Sequence, residues 1–167
     1  MQTAAAIIDP YATNTEALFL AFRLAGQDYG IAITKVQEIR EWSKVTPLPN
    51  SPSYIKGMLN LRGAIVPIID LRLRFGLAPI EYDALTVIIV VNVGGRMAGI
   101  VADTVSDVVS AGPDRRRAMP EFEGQANRQF IEGLAQMDEQ LMILLNVDRL
   151  VLPEDLLAAA HSAGPTD

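Results

Sequence analysis

The residues able to do chemistry are few and scattered. The single histidine, His161, lies close to the C-terminus, and cysteine is absent. No Ser-His-Asp or Cys-His arrangement can be assembled from that set, and disulfides and thiolate metal sites are excluded with it. Asp103 and Asp107 fall in a stretch that reads as strand and turn, so both are expected to be exposed rather than to hold a metal. Glu121 and Glu123 stand together in Ala118-Met119-Pro120-Glu121-Phe122-Glu123-Gly124, a loop sequence badly suited to holding two carboxyls at a fixed separation. Gly94-Gly95 is followed by neither a helix start nor Gly-Lys-Ser/Thr, so it reads as a hairpin turn and not a phosphate cradle. The residue inventory points away from catalysis, metals and cofactors.

Binding is a better use of what remains. Val36-Gln37-Glu38-Ile39-Arg40 sets apolar side chains three apart with charge between them. It can be a core-facing turn for Val36 and Ile39, whereas Glu38 and Arg40 suit the polar rim of an interface. Asn60-Leu61-Arg62-Gly63 places an arginine at the tip of a tight hairpin, beside a glycine free to take positive φ. Pro47, Pro49 and Pro52 stiffen the connection before Tyr54, which preorganises a surface. Arg115-Arg116-Arg117 tempts a nucleic-acid reading, but Asp114, Glu121 and Glu123 surround it and the chain carries a net charge of -6. A solvated loop edge, or a protein contact, suits that cluster better.

The elements that must position these residues are mostly strands. With 167 residues, half of them hydrophobic and 20% charged, the chain has material for one domain with a substantial core. The longest apolar run, Val87 to Val91, is far short of the ~20 residues of a membrane helix, and the cysteine-free composition fits a reducing compartment such as the cytosol. Four hairpins are expected. Leu18 to Leu24 pairs with Tyr29 to Ile33 across a turn at 25–28, and is too apolar on both faces for an exposed edge. Gly57 to Leu61 pairs with Ala64 to Asp70, Leu85 to Val91 with Met97 to Val101, and Phe130 to Met137 with Leu141 to Leu145. Residues 1–15 read as a loose tail, 16–152 as the folded domain, and 153–167 as a short helix opening at Pro153-Glu154-Asp155 followed by a frayed end.

An internal repeat runs through the strands. Gly30-Ile31 followed by Val36-Gln37-Glu38-Ile39 recurs as Gly99-Ile100 followed by Val105-Ser106-Asp107-Val108, an offset of 69 residues. Ile55-Lys56-Gly57 with a strand ending at Asp70 recurs as Ile131-Glu132-Gly133 with a strand ending at Asn146, an offset of 76. Each unit has the size of a small barrel that would be marginal alone, so two units should share a core.

These stretches resemble the CheW family of bacterial chemotaxis coupling proteins. The resemblance is carried by Tyr29-Gly30-Ile31, Lys35 to Arg40, Ile55-Lys56-Gly57 and Asn60-Leu61-Arg62-Gly63. It continues in Ile65 to Arg72, Val105 to Val108 and Leu141 to Asn146, and spans about Phe19 to Leu150. It implies a mainly β fold of two SH3-like five-stranded β-barrels around a shared hydrophobic core. It further implies a non-catalytic, cofactor-free adaptor between the cytoplasmic tip of methyl-accepting chemoreceptors and the regulatory domain of the histidine kinase CheA. Such an adaptor is cytoplasmic and recruited to membrane-associated receptor arrays, with no membrane insertion and no nucleic-acid partner. Positions matching the family's receptor contacts are Val36, Glu38, Arg62 and Val108, and those matching a kinase contact are Arg117 and Phe122. No receiver-like segment is expected after Leu152, and no phosphotransfer or ATP-binding segment is present. The rival readings are a free-standing SH3-like interaction module in another signalling system and an OB- or SH3-like nucleic-acid binder, which the net charge opposes.

Overall fold

The computed structural model describes residues 18–120 and 127–152. Eleven strands run in chain order: β1 (Leu18–Leu24), β2 (Gln27–Ala32), β3 (Val36–Glu41), β4 (Ile55–Leu61), β5 (Ala64–Asp70), β6 (Val87–Val93), β7 (Arg96–Ala102), β8 (Thr104–Ser110), β9 (Arg116–Arg117), β10 (Ile131–Met137) and β11 (Gln140–Leu145). Two single-turn helices, α1 (Leu71–Arg74) and α2 (Val147–Leu150), follow β5 and β11. All four expected hairpins form, with ends shifted by a residue or two. The expected tail at 1–15, the helix opening at Pro153, and His161 lie outside the described residues.

The strands form two sheets. One has the order β8-β1-β2-β11-β10-β9 and the other β3-β6-β7-β5-β4. Both must curl. Only five residues link β8 to β9, the outermost strands of the first sheet, a reach of about 20 Å. Six flat strands would hold those edges roughly 24 Å apart. In the second sheet the chain leaving β3 crosses to the other edge, where Thr46 and Met58 exchange backbone hydrogen bonds of 2.9 and 2.7 Å. Gly57 permits that closure: its φ is +150°, and a Cβ there would lie 2.1 Å from the Thr46 carbonyl oxygen. The mainly β, SH3-like double-barrel architecture implied by the family resemblance is what the chain adopts. The first barrel counts a sixth strand because the two-residue β9 joins its edge.

The two repeat offsets describe the pairing. Phe22 opposite Tyr29 recurs as Val91 opposite Ala98, and the parallel pair Leu144 with Gly30 recurs as Ile68 with Gly99. Val36 opposite Val91 recurs as Val105 opposite Phe22. A repeat unit, however, is not a barrel. The first barrel combines β1 and β2 with β8, β10 and β11, and the second combines β6 and β7 with β3, β4 and β5. The strands β3 and β8 thus leave the hairpins that precede them and pair in the other barrel. The segment 36–40, for which a core-facing turn is one reading at Val36 and Ile39, is therefore a strand, drawn out by its ladder with β6.

Period-two alternation then makes three cores from strands apolar on both faces. From β1, Leu20, Phe22 and Leu24 enter the layer shared between barrels, whereas Phe19 and Ala21 fill the first barrel. From β6, Ile89 and Val91 enter the shared layer, whereas Ile88 and Val90 fill the second. Each large side chain so buried contributes about 1.5–3 kcal/mol of transfer free energy. The shared layer is the largest cluster, as expected for two barrels each too small to stand alone.

Candidate functional interface

Glu38 and Arg62 arrive from opposite edges of the second barrel. Glu38 lies on β3, just after a register shift between Val36 and Glu38. Arg62 is the first residue of the two-residue turn between β4 and β5, with φ of +51° and Gly63 at +91°. Both residues of a type I′ hairpin turn need positive φ, and the Asn60 side chain holds this one by accepting the Gly63 N–H at 2.9 Å. From that tip the Arg62 guanidinium donates to Glu38 Oε2 at 3.0 Å. The ion pair spans the seam of the barrel. With the Arg62 side chain 70% exposed it contributes no more than ~1 kcal/mol to stability, so folding alone does not account for it.

Apolar residues near this pair in the chain, and one on the other barrel, reach solvent too. Ile39 and Ile65 are exposed, as is Val108 on β8 of the other barrel. Their registers explain where they point. Ile39 lies opposite Ile89 and Val108 opposite Leu20, and both of those partners belong to the shared layer. Directly paired residues share a face of the sheet, so Ile39 and Val108 continue the inter-barrel layer out to the surface. Ile65 has the parity of Ile69, another shared-layer residue. Val36 is half-buried and packs against that same layer. Of the four residues matching a receptor contact, then, Glu38 and Arg62 are joined, Val36 packs on the shared layer, and Val108 stands on the other barrel. Ile65 is an exposed apolar side chain that motif reading passed over; the 76-residue offset pairs it with exposed Leu141 and could have flagged it.

The arginine cluster is split by its surroundings. Arg116 lays its guanidinium over the Phe19 ring, 5.7 Å from the centroid, while Arg115 and Arg117 are exposed. Arg117 pairs through its backbone with Leu134 at the free edge of the first barrel, and its side chain donates to the Asp114 and Arg116 carbonyls. In hydrogen-bonding order it stands at the opposite edge from Val108. Phe122, Glu121 and Glu123 lie outside the described residues.

Asp103 corrects an expectation. It is not an exposed turn residue but a junction between barrels. Its carboxylate accepts two hydrogen bonds from Arg72 at 2.9 and 2.8 Å and the Ala25 N–H at 2.9 Å. Burial alone would raise its pKa, but the Arg72 hydrogen bonds, the Ala25 N–H and the Arg72 charge outweigh it and hold the carboxyl below its ordinary value. The Asp70-Leu71-Arg72 motif is accordingly structural. Buried Asp70 caps α1 at Leu73 N–H and accepts from the Tyr82 hydroxyl, Leu71 is fully buried, and Arg72 reaches the neighbouring barrel. Burial, and then the bond to Asp70, keep Tyr82 protonated well above its ordinary range.

No group of three or more metal-ligating side chains occurs among the described residues, and no helix there is long and apolar enough to cross a membrane. The Glu38–Arg62 pair and the exposed Ile39, Ile65 and Val108 are the surface features left to explain.

Known proteins give that surface a context. The family model described as the CheW-like domain matches residues 18–153. The chain is 46% identical over 138 residues to the chemotaxis protein CheW of Klebsiella aerogenes, covering 83% of each chain. It is 37% identical to the probable chemotaxis protein CheW of Rhizobium etli, covering 78% of this chain and 84% of that one. The crystal structure of the scaffolding protein TtCheW from Thermoanaerobacter tengcongensis superposes with a TM-score of 0.76 at 31% identity, over 81% of this chain and 92% of the other. With the double barrel and the exchanged strands already in view, these matches establish that the chain belongs to the CheW family, the coupling adaptors of chemotaxis.

Proposed function

We propose that this protein joins the cytoplasmic tip of methyl-accepting chemoreceptors to the regulatory domain of the histidine kinase CheA, without chemistry of its own. The observation that carries this reading is the Glu38–Arg62 pair across the second barrel, together with exposed Ile39 and Ile65 on the strands beside it and exposed Val108 on the other barrel. An amphipathic helix buries an apolar stripe in such a setting, and fixed charges at the border set its register. Val36, Glu38, Arg62 and Val108 form the receptor face. Arg117, on the edge strand β9, and Phe122 belong to the kinase face, so both partners are held at once. Receptor conformation then biases the kinase through the shared layer between the two faces. The protein is cytoplasmic and recruited to receptor arrays, inserting into no membrane and binding no nucleic acid.

Co-sedimentation with membranes carrying a receptor signalling fragment, with and without CheA, tests the assignment. Arg62→Asp should weaken receptor recovery about tenfold or more while cooperative melting is kept. Phe122→Ser should release the kinase and leave receptor binding intact. Equal loss of both partners from either variant would sink the two-face assignment, and no recovery with either partner would sink the coupling role.

A further inference from the structure

The register that relates the two barrels also relates their seams, and there the chemistry is inverted. The 69-residue offset carries Glu38 to Asp107, and the 76-residue offset carries Arg62 to Asp138. The strand pairing and the first turn residue are conserved between the two places, although Glu139 lacks the positive φ of Gly63. Met137 pairs with Gln140 across the tip just as Leu61 pairs with Ala64, and Asp138 holds a φ of +56° where Arg62 holds +51°. The clasp is not conserved: both of its positions are acidic in the first barrel, and Glu139 adds a third carboxyl. None of the three is ion-paired among the described residues.

A cleft of about 510 Å³ opens at this place, lined by Val109, Met137, Asp138, Glu139 and Gln140. Its floor is aliphatic, since Val109 and Met137 are half-buried against the core of the first barrel. Its rim is anionic. A long cationic side chain fits that division, with its methylenes on Val109 and Met137 and its head against the carboxylates. The apolar flanks are repeated too. Val108 and Leu141 stand where Ile39 and Ile65 stand, and all four are between 39% and 45% exposed. Four of the six large apolar side chains exposed among the described residues thus fall into two repeat-related pairs that flank the two seams.

We infer that the seam of the first barrel is a docking site for a partner protein segment that presents an arginine or lysine between aliphatic residues. The partner supplies in trans the cation that Arg62 supplies in cis to the second barrel. The second barrel shows what fills such a place, and the first barrel shows the place with the cation missing and the acids Asp138 and Glu139 lining it.

The test is a titration of the isotopically labelled full-length chain, followed by amide NMR shifts, with a synthetic peptide of sequence Leu-Asn-Leu-Arg-Gly-Ala-Ile. That peptide reproduces residues 59–65, the segment carrying the arginine of the second barrel. Its control has glutamate in place of the arginine. Saturable shifts at Val109 and across 136–141 are expected with the first peptide only, weakening as salt shortens the Debye length to a few Å. Asp138→Arg should lower the affinity about tenfold without lowering the melting temperature, because the turn already tolerates arginine at this φ in the other barrel. Equal shifts with the glutamate peptide, shifts that persist in Asp138→Arg, or no shifts at millimolar peptide would overturn the proposal. Concentration-dependent shifts at the cleft without peptide would overturn it as well, since a second copy of this chain would then be the occupant. None of these readouts depends on receptor or kinase, so failure here is separable from failure of the coupling role.

Discussion

The two junctions between barrels fall within one residue of matching places, since the offset carries Asp103 to Thr34 beside Lys35, and they are finished in opposite ways. At one, Arg72 after β5 meets Asp103 through two hydrogen bonds, with side chains only 14% and 21% exposed. At the other, Asp148, the repeat mate of Arg72, meets Lys35 at 3.2 Å, with side chains 53% and 37% exposed. The polarity is reversed and the burial differs. A planar guanidinium in a partly buried fork is a fixed strut; an ammonium on a flexible stem in water is a loose tie. The repeat preserved the backbone register and left side-chain chemistry free to differentiate the halves, giving one rigid junction and one compliant one.

The largest effect that would test this contrast is loss of the strut. Asp103→Ala leaves a poorly hydrated guanidinium and an uncapped Ala25 N–H, and should cost about 2–3 kcal/mol by denaturant unfolding. Lys35→Ala at the other junction should cost under ~1 kcal/mol. The pH dependence has a definite sign. The folded-state pKa of Asp103 is depressed below the ordinary 3.8, so its contribution is present above that value and is lost as pH falls through the folded value. Acid unfolding of the parent should therefore steepen below about pH 4, and Asp103→Asn should flatten that limb. Equal costs at the two junctions would abolish the distinction between them.

A smaller asymmetry sits inside the barrels. Gly30 and Gly99 are repeat mates on the parallel ladders, and each is pressed by a side chain from the strand across it. A Cβ on Gly99 would lie 2.6 Å from Ile68 Cδ1 and 2.8 Å from Ile88 Cγ2. On Gly30 it would meet the Met142 thioether, at 2.9 Å from Sδ and 3.0 Å from Cε. Branched side chains on central strands cannot turn aside, whereas methionine can. Gly99→Ala should cost about 1–3 kcal/mol and Gly30→Ala distinctly less, read as shifts in the urea midpoint. The reverse order would mean that the first barrel is the more tightly packed of the two.

Much of this is legible in the amino-acid sequence. Alternation and turn residues located the hairpins, and the tip at Arg62-Gly63 was placed by its glycine and asparagine. The motif residues Glu38 and Arg62 were both singled out, but not as partners, because sequence spacing of 24 residues says nothing about two edges of one closed barrel. The exchange of β3 and β8 was equally hidden: a repeat shows that two segments adopt like conformations, not which sheet each enters. Asp103 reads as exposed because an acid in a turn is usually solvated, and its partner Arg72 lies 31 residues away on a helix end. Ile39 and Ile65 look like core residues in any alternating strand; their exposure comes from where the barrels stop covering each other.

The smallest effect on stability should accompany the largest on binding, and it separates clasp from contact. Glu38→Arg combined with Arg62→Glu restores opposite charges across the seam of the second barrel. Stability by thermal unfolding should stay within about 1 kcal/mol of the parent, since an exposed pair of either polarity is worth no more than that. Receptor recovery should nonetheless fail in the double variant, because a docking helix reads the sign of each charge and not the existence of the bond. Recovery restored by the swap would mean that Glu38 and Arg62 act by holding the seam shut and that the partner's specificity resides in Val36, Ile39, Ile65 and Val108. Recovery lost in the swap, with melting unchanged, places the two charges in direct contact with the partner.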